Sequence, residues 1–198
     1  MKKILVLLSC ALFAFAVEAQ DFVRGDNVLG VNVGFGGHGH KYGYKMKHDC
    51  VMFPLQVSYE RCVADGLIDG NASIGVGGNV SFGTRSGSLK GEAEGVKYKD
   101  KWRNNCLDVA VFSNFHYQFV DKLDTYMGMQ IGGGTGFSKW KHKVNGEKDA
   151  KSTGSSADIV WGMYVGARYY IAPSFAVAAE LGGGIHTSIL KVGVSYRF

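Results

Sequence analysis

Two residue types are scarce in this chain of 198 residues, which contains only 2 prolines and 4 cysteines. So few prolines exclude collagen-like and proline-rich linker sequences, and so few cysteines exclude a small domain held together by many disulfides. Charged residues make up 20% and apolar residues 46% of the chain, a balance that excludes intrinsic disorder. A chain of this length and composition is expected to form one folded domain.

The only long apolar run is at the start of the chain. Lys2 and Lys3 precede a mostly apolar stretch at residues 4–17, and small residues follow up to Ala19. This is the pattern of a secretory signal peptide, and the run is shorter than the roughly 18 apolar residues of a membrane-spanning helix. We therefore expect a signal peptide at residues 1–19 and one exported domain at residues 20–198.

Glycine is abundant, at 29 residues, and it is spread through the apolar segments. Because each interior glycine destabilises a helix by about 1 kcal/mol, this spread favours strands. Period-two alternation predicts eight of them, at residues 28–35, 53–61, 71–82, 107–119, 123–137, 158–171, 175–183 and 189–198. The length and even number of these strands predict an all-β fold, an eight-stranded antiparallel up-and-down transmembrane β-barrel.

The alternation also predicts which face meets lipid. Between Leu107 and Phe119, apolar residues alternate with polar ones, and an apolar exterior around a polar lumen is the membrane arrangement. Outward aromatic residues should form two bands, at the two membrane interfaces. The band on the turn side comprises Tyr59, Tyr117, Phe119, Tyr169, Phe175, Tyr196 and Phe198, and the band on the loop side comprises Phe35, Phe53, Phe82 and Phe137.

Inward parity predicts a charge network in the lumen. Its members are Glu60, Asp108, Asp124, Arg168, Glu180, Lys191 and Arg197, with His116 as a hydrogen-bonded filler. Charges of both signs share each level, and Asp124 should pair with Arg168 and Glu180 with Lys191. Pairing of this kind predicts a plugged lumen that does not conduct, because selective pores are lined by rings of one sign.

Long connections are predicted at residues 36–52, 83–106 and 138–157, with net charges of +2, +3 and +3. Lysines on that side can attract the phosphates of lipopolysaccharide. Trp102 and Trp140, set among these lysines, can equally contact sugars or an unknown surface partner. Ordinary solvated loops are the alternative interpretation.

Three cysteines remain after the expected leader, Cys50, Cys62 and Cys106, so at most one internal disulfide can form. A bridge between Cys50 and Cys106 is left open.

The three cysteines lack CxxC spacing, and His38, His40 and His48 lack carboxylate partners, so no metal site is expected. Residues 34–39 fit GxGxxG, but no amphipathic helix follows them, so no cofactor is expected. Nucleic acid is not an expected partner.

The end of the chain, residues 190–198, alternates strictly and finishes on Phe198. It resembles the terminal strand of Gram-negative outer-membrane barrels, and the exported domain resembles the eight-stranded group that includes the outer-membrane protein X family and the barrel of outer-membrane protein A. The resemblance implies export through the periplasm, residence in the outer membrane, and a signal at Tyr196 and Phe198 for the barrel assembly machinery.

Three functions follow in order of preference. The first is a membrane anchor whose basic surface loops interact with a partner. The alternative is a narrow porin or a transporter of small hydrophobic molecules, and the third is a lipid A-modifying enzyme. Catalysis is not expected, because Ser113 and His116 should face opposite sides of a strand, and the hairpin with His186 and Ser188 has no predicted acid.

Overall fold

The computed structural model describes residues 22–36, 49–68, 70–93, 95–145 and 147–198, so the predicted signal peptide lies outside the described residues. Eight strands follow one another: β1 (Asn27–Phe35), β2 (Asp49–Leu67), β3 (Ala72–Ala93), β4 (Val96–Val120), β5 (Leu123–Val144), β6 (Glu147–Ala172), β7 (Phe175–Ile185) and β8 (Leu190–Arg197). Each strand pairs antiparallel with the next, and β8 closes onto β1. The predicted eight-stranded barrel is confirmed. Among the described residues, no helix is long and apolar enough to cross a membrane.

The five strands from β2 to β6 are all several residues longer than the sequence predicts. The β3–β4 ladder continues to Ala93↔Val96, and the β5–β6 ladder continues to Val144↔Glu147. The predicted long loops at residues 83–106 and 138–157 are therefore wrong, because both segments are the arms of hairpins with short turns. Their many charges look like a solvated loop, yet aromatic residues alternate with lysines as in a strand. We call residues 85–93, 96–105, 138–144 and 147–157 the extramembrane sheet.

The outer surface of the barrel is an apolar belt. Val111 and Ile159 are 63% and 64% exposed, a degree of exposure that suits hydrocarbon rather than water. The outward series from Leu107 to Tyr117 spans about 25 Å of height, allowing for strand tilt. The predicted aromatic bands lie on the same outward face, where Phe119 and Phe137 are exposed.

The strand register separates two of the cysteines. Cys50 pairs with Ser86 on β3, whereas Cys106 on β4 pairs with Gly83. Two strand spacings and three residue steps place their Cα atoms about 14 Å apart, well beyond the roughly 7 Å limit for a disulfide. Cys106 is a free thiol whose Sγ lies 3.6 Å from the carbonyl oxygen of Gly83. The bridge between Cys50 and Cys106 is therefore incompatible with this fold.

Candidate functional site

The centre of the lumen holds four charged side chains from four different strands. The Arg168 guanidinium contacts the Glu60 carboxylate, and its Nη1 lies 3.4 Å from Asp124 Oδ2. His116 bridges the two acids, with Nε2 2.8 Å from Glu60 Oε1 and Nδ1 2.8 Å from Asp124 Oδ1. When both acids are ionised they only accept hydrogen bonds, and a protonated imidazole then donates to them from both ring nitrogens. In that state two anions and two cations make the cluster neutral.

A second charged pair lies above this cluster. Lys191 Nζ is 2.6 Å from Glu180 Oε2 and donates a hydrogen bond of 3.2 Å to Gln56 Oε1. The Tyr126 hydroxyl donates to Glu180 Oε1 at 2.8 Å. The Arg168 guanidinium lies 4.6 Å from the centre of the Tyr126 ring, a cation–π contact that connects the two levels.

The seven charged residues that parity places in the lumen are all buried there. The structure brings Asp124 next to Arg168 and Glu180 next to Lys191, and it adds the contact between Glu60 and Arg168 that sequence reasoning missed. Two residues stand apart from these groups. Asp108 lines the end of the lumen near the extramembrane sheet, and Arg197 donates to the Pro173 carbonyl at the opposite rim over 3.1 Å.

The end of the lumen opposite the extramembrane sheet is narrowed by the segment before β1. Phe22 is buried, its ring centre lies 4.6 Å from that of His116, and Cys62 Sγ is 3.6 Å from its carbonyl oxygen. The space that remains there is a cavity of about 130 Å³ lined by Phe22, His116, Asp124 and neighbouring residues. Phe22 therefore acts as a lid over the central cluster.

The outer end is filled by the turn between β7 and β8. His186, Thr187 and Ser188 are buried, and His186 Nε2 lies 3.5 Å from Asp158 Oδ2. Only about 10 Å³ of space remains in the cavity that Ser188 and Lys191 line, which is about the room that a single water molecule needs. Side chains thus narrow the lumen at both ends, and the larger remaining space lies beside Phe22.

Two pairs of residues were candidates for catalysis. Ser113 and His116 face away from each other, and His186 and Ser188 face away from the lipid. Ser113 lies on the outward face and donates to the Gly75 carbonyl at 3.3 Å, whereas His116 is buried in the lumen. The expectation that the last hairpin lacks a nearby acid is wrong, because Asp158 approaches His186 from β6. Since His186 and Ser188 point into the barrel, neither side chain faces surrounding lipid.

Many of the residues considered for a metal or a nucleotide site lie outside the described residues. His38, His40 and His48 lie outside the described residues, as do three of the positions in the GxGxxG stretch. Within the described ranges, no group of three His, Cys, Asp or Glu side chains is arranged to hold a metal ion.

The outward face of the extramembrane sheet carries rows of cations. The register places Lys90 opposite Lys99, and Lys99 opposite Lys143; it likewise places Lys101 opposite Lys141, Lys141 opposite Lys151, and Arg103 opposite Lys139. We call these eight residues the cationic rows. The pKa of Lys99 lies below its ordinary value because of Lys101, Lys90 and Lys143. The cations therefore repel one another and attract anions.

The closed sheet, polar lumen and apolar belt define a membrane-embedded β-barrel. Its fold is that of the small eight-stranded outer-membrane barrels. The chain is similar to a major outer membrane protein of Thermus thermophilus, with 16% identity, a TM-score of 0.51, and coverage of 88% of this chain and 100% of that one.

Two further solved structures are similar to the chain at lower TM-scores. They are the attachment invasion locus protein Ail of Yersinia pestis (16% identity, TM-score 0.41, coverage of 89% and 100%) and the N-terminal β-barrel domain of Pseudomonas aeruginosa OprF (13% identity, TM-score 0.42, coverage of 88% and 98%). By sequence, no family model and no curated protein matches this chain.

Proposed function

We propose that this protein is a non-conducting anchor in the outer membrane whose cationic rows bind the phosphate groups of lipopolysaccharide in the surrounding leaflet. The observation that carries the proposal is the parity of the strands. Lys139 and Lys141 share the outward face of β5 with Ile131 and Phe137, which belong to the lipid-facing belt. The cations therefore face the same lipid molecules as the belt does.

The height of the cationic rows supports this proposal. Lys139 and Lys141 follow Phe137 by two and four residues, which is about 7 and 14 Å of strand. Corrected for a tilt of about 40°, the first two rows lie about 5 and 10 Å beyond the aromatic band. Polar headgroups extend about 5–7 Å from the hydrocarbon edge, so the first row lies among them and the second lies at their outer margin.

The lumen supports an anchor rather than a channel or a transporter. Its charges are paired or hydrogen-bonded, as in the contacts of Arg168 with Glu60 and of Lys191 with Glu180, and do not form a ring of one sign. Small hydrophobic molecules would meet a charged interior rather than an apolar one.

The proposal includes no catalysis. It includes export through the periplasm, with Tyr196 and Phe198 as the signal for the barrel assembly machinery.

Binding of lipopolysaccharide by matched variants tests the proposal. Lys101→Ser combined with Lys141→Ser removes two outward cations, while Arg24→Ser combined with Arg61→Ser removes two exposed cations near the periplasmic end. Each headgroup-facing lysine contributes about 1 kcal/mol, so the first pair should lower affinity about 30-fold. The second pair should leave affinity unchanged.

The measurement is capture of purified lipopolysaccharide by the barrel in phosphatidylethanolamine nanodiscs, at low and at high salt. Wild-type binding should weaken steeply with salt, because exposed charges are screened. Equal affinities for the two double variants, or binding that salt does not affect, would overturn the proposal.

A further inference from the structure

The inward-facing side of the extramembrane sheet is aromatic, in contrast to its cationic outward side. Trp102 on β4 is directly opposite Trp140 on β5. The His142 ring is nearly parallel to that of Trp140, with centres 5.6 Å apart and planes at 17°, and to that of Tyr98, with centres 6.4 Å apart and planes at 24°. We call these four residues the aromatic platform.

Two glycines on β3 leave room for the platform. Gly87 is opposite Trp102 and Gly91 is opposite Tyr98. A Cβ atom added at Gly87 would lie 2.6 Å from three atoms of the indole, so any larger residue would displace that ring. The rings of Trp102 and Tyr98 thus lean over the backbone of β3, and the sheet is shaped to hold them.

The polar groups around the platform are close to neutral in sum. His142 Nδ1 lies 2.6 Å from Asp100 Oδ1, and both residues belong to the platform's face of the sheet. Arg85 lies 5.9 Å from the centre of the Trp102 ring. One carboxylate and one guanidinium beside four rings favour an uncharged ligand that combines C–H groups with hydroxyls.

A saccharide has this chemistry. The axial C–H groups of a pyranose pack on the negative face of an aromatic ring, and its hydroxyls form hydrogen bonds with a carboxylate or an imidazole. We propose that the aromatic platform binds neutral hexopyranose units of a soluble glycan that reaches the protein from the external medium. The proposal does not depend on lipopolysaccharide binding, because it uses the opposite face of the sheet.

The direction of the platform determines where such a glycan comes from. Trp102 follows the same parity on β4 as Asp108 and His116, which point into the lumen. The platform therefore continues the inner wall of the barrel above the membrane and faces its axis. The other face is the one that carries the cationic rows, so a ligand of the platform arrives from the medium above the barrel.

The test uses two double variants whose positions are adjacent on the same strands. Trp102→Leu with Trp140→Leu removes two rings of the platform but keeps apolar bulk. Lys101→Ser with Lys141→Ser changes the neighbouring residues, which point to the other face. Maltoheptaose and chitotetraose serve as neutral probes, with saturation-transfer NMR and tryptophan fluorescence as readouts for the barrel in nanodiscs.

We expect the wild type to bind at least one probe at millimolar concentration, and the tryptophan variant to bind about tenfold or more weakly. The lysine variant should bind as the wild type does. Failure of both probes to bind, or equal loss in the two variants, would overturn the proposal. A heat-dependent shift in gel mobility confirms that each variant is a folded barrel, so loss of binding is not mistaken for loss of structure.

Discussion

Arg168 on β6 contacts Glu60 on β2, its partner on the opposite wall of the eight-stranded barrel, across 108 positions of sequence. The guanidinium therefore crosses the lumen rather than lying along its wall. In the same cluster, His116 connects Glu60 to Asp124 with two contacts of 2.8 Å. Four strands are thus joined through side chains as well as through the backbone ladder.

Removal of Arg168 should destabilise the barrel. Arg168→Ala leaves Glu60 and Asp124 buried with only His116 as a cationic partner, and breaking a buried ion pair in this way costs about 3–5 kcal/mol. Urea unfolding in detergent, followed by tryptophan fluorescence, measures the change. Arg61→Ala, which removes an exposed arginine next to Glu60 on β2, is the control and should unfold as the wild type does. Identical unfolding midpoints for the two variants would contradict the role given to the cluster.

The refolded protein should show no steady conductance in a planar lipid bilayer. Phe22 narrows the end opposite the extramembrane sheet, the turn with His186 and Ser188 narrows the other end, and ion pairs lie across the centre. Brief, irregular current is compatible with this arrangement because a turn can move. Stable single-channel steps from the unmutated protein would show that the lumen is open.

Alternation along each strand is sufficient to predict the strand number, the lipid-facing side and the inward position of the charged residues. It predicts the pairing of Asp124 with Arg168 because these residues belong to strands adjacent in sequence. It does not predict the contact of Arg168 with Glu60, because that contact depends on side-chain length and on which walls face each other. His116 is inward by parity, yet only the three-dimensional structure shows two carboxylates beside it.

The extramembrane sheet shows a second limit of sequence reasoning. Residues 96–103 alternate strictly between lysine or arginine and other side chains, but their charge density resembles that of a solvated loop. Strand pairing is decided by the neighbouring chain, and here β3 and β5 supply ladders on both sides of β4. The buried turn at His186 and Ser188 is equally hidden in the sequence, because polar residues in a hairpin ordinarily face water.

Loss of the last side chain should reduce assembly into the outer membrane. Phe198 is 61% exposed, and its backbone exchanges two hydrogen bonds with Asn27, of 2.9 and 3.0 Å, that help to close β8 onto β1. Phe198→Ala removes the ring but keeps both bonds, so reduced heat-modifiable protein in outer-membrane fractions would assign the effect to the ring. Phe198→Tyr keeps an aromatic ring and should assemble normally. Wild-type amounts of the alanine variant would exclude an assembly signal at this residue.

The cationic rows should lower the stability of the extramembrane sheet. Lys99 is directly opposite Lys90 on one side and Lys143 on the other, and like charges in directly opposed positions are destabilising. Lys99→Thr should therefore slow amide hydrogen exchange in the sheet at neutral pH while weakening lipopolysaccharide binding. Lys97→Thr is the control. Because Lys97 is opposite Glu92, this variant removes an attraction between opposite charges rather than a repulsion.

The pH dependence of this effect has a defined sign. Since the Lys99 pKa is lowered in the folded sheet, the folded form holds fewer protons than the unfolded chain in the alkaline range. Wild-type stability should therefore rise as the pH increases through that range, where the repulsion disappears, and the difference from Lys99→Thr should shrink. Thermal unfolding followed by circular dichroism at neutral and alkaline pH measures both quantities. If Lys99→Thr is less stable than the wild type at neutral pH, the repulsion inferred between the cationic rows is contradicted.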